Sequence, residues 1–316
     1  MGRHLPGAGV IGPRRSGEGD DSKGPGRLPR SRGGRWRPVA VLPCAAVTDV
    51  ERPSAAIAAA PRSSPLRRAW FAEWPVWAEV LLFLALMAAY EWVRDLVATE
   101  DVLVPLGHAQ DVMDVEKALG LFVEPDIHDW VQSVGVAKFA TTWIYTLAHT
   151  TGFIAVFLFV WFRRRRNYPM FRNWFWVTNA FAVIGYWLYP LAPPRLTGIG
   201  LEDPTKQALE LGGALSWFQP FRNEFAAMPS MHVGYSFLFG LTLFWLLRPS
   251  PWRWLAFLWP AGMLFTVMAT SNHWWLDGVG GACVVLLALA VVSRLAGPYP
   301  RPWEWSGRAH RAEGGP

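Results

Sequence analysis

Cysteine is nearly absent. The chain has two, Cys44 and Cys283, so no disulfide framework and no metal-ligand spacing follows. A soluble domain with a basic face is also missing, so the net charge of +6 does not indicate a nucleic-acid partner. No glycine-flanked serine motif occurs. Ser230 and His232 are only two apart and do not stack on one helical face, which argues against an intramembrane serine protease. The patch "VAVLPCAAV" is too short for a signal-peptide core, and its proline makes Cys44 a poor lipoprotein site.

What the chain does have is apolar length. Of its 316 residues, 52% are hydrophobic and 20 are tryptophan. Apolar runs of about 18–24 residues can cross a hydrocarbon core at 1.5 Å per residue. Six are readable, roughly at 76–98, 139–162, 173–192, 229–247, 252–270 and 274–296. Tryptophans 74, 77, 143, 161, 174, 252, 274 and 275 mark run edges, as an interfacial belt would. The expected fold is an all-α polytopic membrane helix bundle of about six transmembrane helices. The expected division is a disordered basic tail at 1–68, a membrane-embedded domain at 69–297 and a short tail at 298–316.

Charge gives the threading. Residues 1–68 carry 13 Lys or Arg against five acids, and the second loop reads "RRRRNYPMFR". Arg248, Arg253, Arg294, Arg301, Arg308 and Arg311 fall on the same side of a six-span threading, so that side and both termini are expected to be cytoplasmic. The opposite side receives residues 99–138, with eight acids and two lysines, and the loop 191–228. Within it, 109–135 shows helical spacing of Val112, Val115, Leu119, then Ile127, Trp130, Val131, too polar to span. Two short amphipathic helices on the outer face are expected there.

Three motifs share the outer face: "YPLAPPRLTG" with Arg195, "NEFAAMPSMHVGYS" with Ser230 and His232, and "TSNHWWLDGVGG" with His273 and Asp277. Their chemistry suits phosphoryl transfer. A helix N-terminus attracts phosphate, Pro229 suits a first helical turn, and Ser230 adds a hydroxyl donor. Arg195 offers a planar fork for two phosphate oxygens. His273 and Asp277, four apart, share a helix face, so the carboxylate can fix the tautomer and leave the other ring nitrogen as base or nucleophile. His232 is then available as general acid. His149, mid-span, faces a helix neighbour or the cavity. Gly278, Gly280 and Gly281 suggest close helix packing.

"PSMH" and "HWWLD" resemble the second and third signature motifs of the type-2 phosphatidic acid phosphatase superfamily. With "APPRL" and "DVEKALGLFVEP", the context over roughly 75–296 is similar to its branch related to fungal inositol phosphorylceramide synthase. The resemblance implies a helical bundle with an active site facing away from the cytosol and no metal or other cofactor. It implies that His273 attacks phosphorus, Asp277 orients it, His232 protonates the leaving group, and Arg195 and Ser230 hold the phosphate. The phosphatase pattern's lysine seven before the first-motif arginine is here Leu188. Its arginine six before the third-motif histidine is Val267, and Leu196 stands where a proline follows the arginine. The synthase-like branch also lacks these cations. Arg222 and Lys206 in the same outer loop are candidates to replace them, with Asn272 as a hydrogen-bond donor.

The expected partners are a membrane lipid substrate and a polyol or lipid-alcohol acceptor. The expected activity is a phosphohydrolase or phosphotransferase. The competing reading is a catalytically silent membrane protein that binds lipid phosphate, in which Arg195 and Ser230 matter and His273 does not.

Overall fold

Long apolar segments can satisfy their backbone groups in lipid only internally, and these do so as helices. The computed structural model describes residues 64–202, 204, 223–297 and 299–305. Among them, the regular elements are helical, and the pairing of extended chain is an isolated bridge between Leu191 and Ala226. The α-helices are α1 (Pro65–Trp70), α2 (Val76–Leu96), α3 (Leu103–Ala118), α4 (Glu124–Ser133) and α5 (Gly135–Trp143), then α6 (His149–Arg163), α7 (Tyr168–Leu188), α8 (Met231–Leu246), α9 (Leu258–Ala269) and α10 (Trp275–Leu295). A π-helical turn, Ile144–Ala148, joins α5 to α6, and a 3-10 stretch, Pro251–Phe257, leads into α9.

Each of the six apolar segments holds a helix, but the helices differ in reach. By length and hydropathy α2 and α10 can cross a membrane, and the α5–α6 pair, bent by 48°, adds a third if it counts as one span. With 12 residues, α9 rises only about 18 Å at 1.5 Å per residue, against a hydrocarbon core of about 30 Å. The physical reason is that apolar runs lose their ends to motif loops: helix begins only at Met231 after Pro229, and only at Trp275 after His273. Pro229 thus lies before α8 rather than in its first turn.

The last helix is central, packed on α7 and α8, while α9 packs on α8. Its core is aromatic: Phe153, Phe157, Phe171, Phe175, Tyr235 and Phe239 interlock in edge and tilted contacts, with ring centroids about 4.7–6.5 Å apart. At the end remote from the motifs, Arg172 on α7 pairs with Glu79 on α2 and donates to the Trp70 carbonyl, which ties α1, α2 and α7 together.

Several expectations change. Helix α1 begins inside the segment expected to be tail, and residues 1–63 lie outside the described residues. Trp305 is buried in the main core, so the chain after 297 returns to the bundle. Trp77 and Trp252 are exposed as a belt requires, but Trp174 and Trp274 are fully buried. Each spends its indole N–H on a backbone carbonyl, that of Val285 or Ala192. The two helices expected at 109–135 exist as α3 and α4, yet Val115, Leu119 and Trp130 are exposed. Their inward faces instead bury Glu116, Glu124 and His128 beside Val112 and Val131. The side chain of His149 lies outside those described.

Glycine sets the closest approach. A Cβ on Gly281 of α10 would stand 2.3 Å from the Ser230 carbonyl oxygen, so α8 and α10 cross with backbone against backbone. At Gly278 the obstacle is only the tip of the Leu264 side chain. Gly281→Ala is expected to cost about 1–3 kcal/mol through overpacking and to lower the thermal midpoint of the detergent-solubilised protein. Gly262→Ala, inside α9 with nothing within 4 Å of the added methyl, should leave it unchanged or raise it slightly. Equal midpoints for the two variants in a melting experiment would contradict this crossing.

Candidate active site

The three motifs meet over a small apolar core of their own. Leu191 and Ala192 of the first, Ala227 of the second and Trp274 of the third pack with Ala109, Val112 and Met113 of α3. Hydrogen bonds fix the same junction. Leu191 N–H donates to the Phe225 carbonyl at 2.8 Å, Ala192 N–H to Pro105 at 3.0 Å, and Arg195 N–H to Ser271 at 3.1 Å. The Ser230 N–H donates to the Asp277 carbonyl at 2.9 Å, which joins the second motif to the third.

His273 lies just before α10 and is buried. Its Nδ1 is 3.0 Å from the Ala227 carbonyl oxygen and 3.2 Å from Asp277 Oδ2. A carbonyl and a carboxylate both accept, so Nδ1 carries the proton and Nε2 keeps its lone pair. Asp277, fully buried, also accepts from the Trp274 N–H at 3.0 Å. The His232 ring comes from the first turn of α8. Its centroid is 5.5 Å from that of His273, and it stacks on Tyr145 at 4.4 Å.

Both histidines line a cavity of about 230 Å³, with Arg195 and Asn272 on the same wall. Arg195 Nη1 donates to Asn272 Oδ1 at 2.7 Å, while Asn272 Nδ2 donates to the Thr270 carbonyl at 2.9 Å. Because a guanidinium only donates, this orientation of the Asn272 amide is required. Asn272 is thus engaged in holding Arg195, a different use from donating to phosphate. Ser230 is the residue before α8 and fully buried; its hydroxyl makes no hydrogen bond and does not cap the helix. It stands at the α8–α10 crossing and is not among the residues lining the cavity. Arg222 and Lys206 lie outside the described residues.

Sequence reasoning passed over two groups. One is the end of α2, where Met87, Tyr90, Glu91 and Arg94 line the cavity. The signal was available: an acid and a base three apart near the end of an apolar run are expensive there and mark a functional candidate. The other is the brace from α3 and α4. His128 Nδ1 is 3.0 Å from the Ala269 carbonyl and 2.8 Å from the Ser271 hydroxyl. Ser271 has φ +54°, a left-handed backbone that costs a non-glycine residue about 1–2 kcal/mol. The contacts to His128 and to the Arg195 N–H hold it there.

The brace continues onto α10. Glu124 Oε1 accepts from the Trp275 N–H at 2.8 Å, and Glu116 Oε1 from the Leu276 N–H at 3.3 Å. Burial, and then the facing Glu124 carboxylate, push Glu116 up to about 9; burial also raises Glu124.

A family model described as the PAP2 superfamily matches residues 110–291, more than half of the chain. No curated protein and no solved structure matches it.

The raised carboxyl gives a signed pH effect. Between 4.5, its ordinary value, and about 9, the folded chain holds a proton that the unfolded chain releases. Stability from this pair is therefore complete below about 4.5 and is lost as pH rises toward about 9. The thermal midpoint of wild type should fall across that window. Glu116→Gln, which keeps a neutral group in place, should show a flatter profile; parallel curves would refute the raised Glu116 carboxyl.

Proposed function

The chain belongs to the PAP2 superfamily, and from that premise we propose an integral membrane phosphotransferase or phosphohydrolase that works on a lipid phosphate or phosphodiester through a phosphohistidine. Members of this superfamily are generally phosphatases or phosphotransferases, so membership supports an enzyme. The observation that carries the finer reading is the tethered ring. Asp277 and the Ala227 carbonyl hold His273 by Nδ1, with His232 facing it across a cavity that Arg195 enters.

In the first step, His273 Nε2 attacks phosphorus, the P–N bond forms and the bond to the leaving oxygen breaks. His232 gives that oxygen its proton. In the second step a hydroxyl attacks, loses its proton to His232, and the P–N bond breaks. Water as acceptor makes the protein a hydrolase; a polyol or lipid alcohol makes it a transferase. Arg195, aimed by Asn272, meets the phosphoryl oxygens. The first turn of α8, which has no side-chain cap, adds the favourable end of its dipole.

The replacements Leu188 and Val267 favour the branch similar to inositol phosphorylceramide synthase, and so a transferase. The basic loops favour a site at the extracytoplasmic face with both termini in the cytosol. The substrate's head would enter the cavity while its tails stay in the bilayer. Ser230, buried beside the cavity, serves this reading by seating the start of α8 rather than by touching phosphate.

Mass spectrometry of purified protein incubated with phosphatidate, a polyprenyl phosphate and phosphatidylinositol, with and without myo-inositol, tests this. His232→Ala should lower kcat by about 10²–10⁴-fold, and His273→Ala should abolish turnover. Free phosphate from the two monoesters, or inositol phosphate from phosphatidylinositol without added acceptor, marks the hydrolase; a phosphorylated myo-inositol formed from a monoester marks the transferase. Turnover that survives in His273→Ala would rule out the phosphohistidine, and a wild type that binds these lipids without turning them over would favour the silent phosphate-binding protein.

A further inference from the structure

We infer that α2 supplies the second phosphate-binding cation of this cavity, Arg94, and that its neighbour Glu91 is the internal counter-ion that phosphate displaces from it. The inference rests on the phosphoryl-transfer reading and adds a ligand to it.

Four observations converge. First, Met87, Tyr90, Glu91 and Arg94 all line the cavity that holds His232 and His273. Their spacing of three, four and seven puts them on one face of α2, so the helix presents a wall to the site and not a single chance contact. Second, Arg94 and Arg195 are the arginines of that lining among the described residues, and no lysine joins them. They come from different elements, α2 and the loop after α7, and line one common space.

Third, Arg94 Nη2 is 2.6 Å from Glu91 Oε2 across one helical turn. The arginine side chain is 22% exposed and the glutamate 43%, so the pair stands at the cavity rather than inside the packing. Fourth, the backbone under Arg94 is fixed from the second motif. Asn223 Nδ2 donates to the Arg94 carbonyl at 2.9 Å, and Asn223 Oδ1 accepts from the Phe225 N–H at 3.0 Å. Phe225 in turn takes the Leu191 N–H of the first motif. The end of α2 is thereby locked to the two loops that deliver Arg195 and His232.

The chemistry gives the role. Charge in phosphoryl transfer spreads over three equatorial oxygens, and one guanidinium fork meets two of them. One fork therefore leaves the remaining oxygen unmet. Arg94, in the same lining, meets that need. The last turn of α2 also stabilises a cation through the helix dipole, which accounts for a basic residue at that position but not for its place in the lining of the cavity. A surface ion pair three residues apart contributes at most about 1 kcal/mol to stability, so the pair is poorly explained as a fold-holding device.

The test is orthovanadate binding to the full-length protein in detergent, by calorimetry, with thermal midpoints recorded alongside. The variants are Arg94→Ala, Arg94→Lys, Glu91→Gln and Arg195→Ala. Removing a charge-assisted hydrogen-bond donor should weaken vanadate about 10–100-fold in Arg94→Ala. Arg94→Lys should recover part of it, and Glu91→Gln should bind at least as tightly as wild type, since a competing carboxylate is gone. If Arg195→Ala weakens vanadate and Arg94→Ala does not, the inference is overturned and the phosphoryl-transfer reading stands. Equal weakening in Arg94→Ala and Glu91→Gln, with matching losses of midpoint, would also overturn it, by showing that the pair only shapes the helix. If wild type does not bind vanadate at all, both the inference and the reading beneath it fall.

Discussion

Three buried carboxyl groups converge on the start of α10, and the site depends on them. Asp277 takes the Trp274 N–H, Glu124 the Trp275 N–H and Glu116 the Leu276 N–H. These are the amides that a helix leaves without internal partners. Negative charge at that end is favoured by the helix dipole, but fully buried carboxylates are costly, and burial accordingly raises the Glu116 and Glu124 carboxyl groups. The result is a helix start held from within by Asp277 and from outside by α3 and α4. His273, one residue outside it, has little freedom left.

That rigidity has a chemical use. A histidine that attacks phosphorus needs one defined tautomer and one defined direction. Asp277 serves two purposes with one oxygen, since Oδ2 meets both the Trp274 N–H and His273 Nδ1. Substituting it would therefore loosen the helix cap and the nucleophile together. The Ala227 carbonyl brings the chain ahead of α8 into the same arrangement. Gly281 lets the two helices approach until Ser230 meets the last helix, so the distance between His232 and His273 is a packing distance as much as a catalytic one.

The three motifs, their residue types and their shared chemistry were legible in the sequence, because each signal is local. His273 and Asp277 four apart predict a common helix face, and a histidine at the start of an apolar run predicts a functional helix end. The structure brings His232, His273, Asp277, Arg195 and Asn272 together. It also separates their uses: Asn272 holds Arg195, and Ser230 lies at a helix crossing. The six-span reading was less secure, since hydropathy counts the residues in an apolar run and not where the helix begins. α9 is short for that reason.

By itself the sequence determined that this chain is apolar enough to form a helical bundle. It also determined that three polar motifs interrupt the apolar runs with the donors and acceptors of phosphoryl transfer. Spacing along a chain carries that information because helix periodicity is set by neighbours. Only the tertiary structure decided what completes the site. Glu91 and Arg94 are about 180 residues from His273, and Glu116, Glu124 and His128 are about 150 from the turn they brace. No local period relates such residues; they meet because burial of apolar faces folds α2, α3 and α4 over the start of α10.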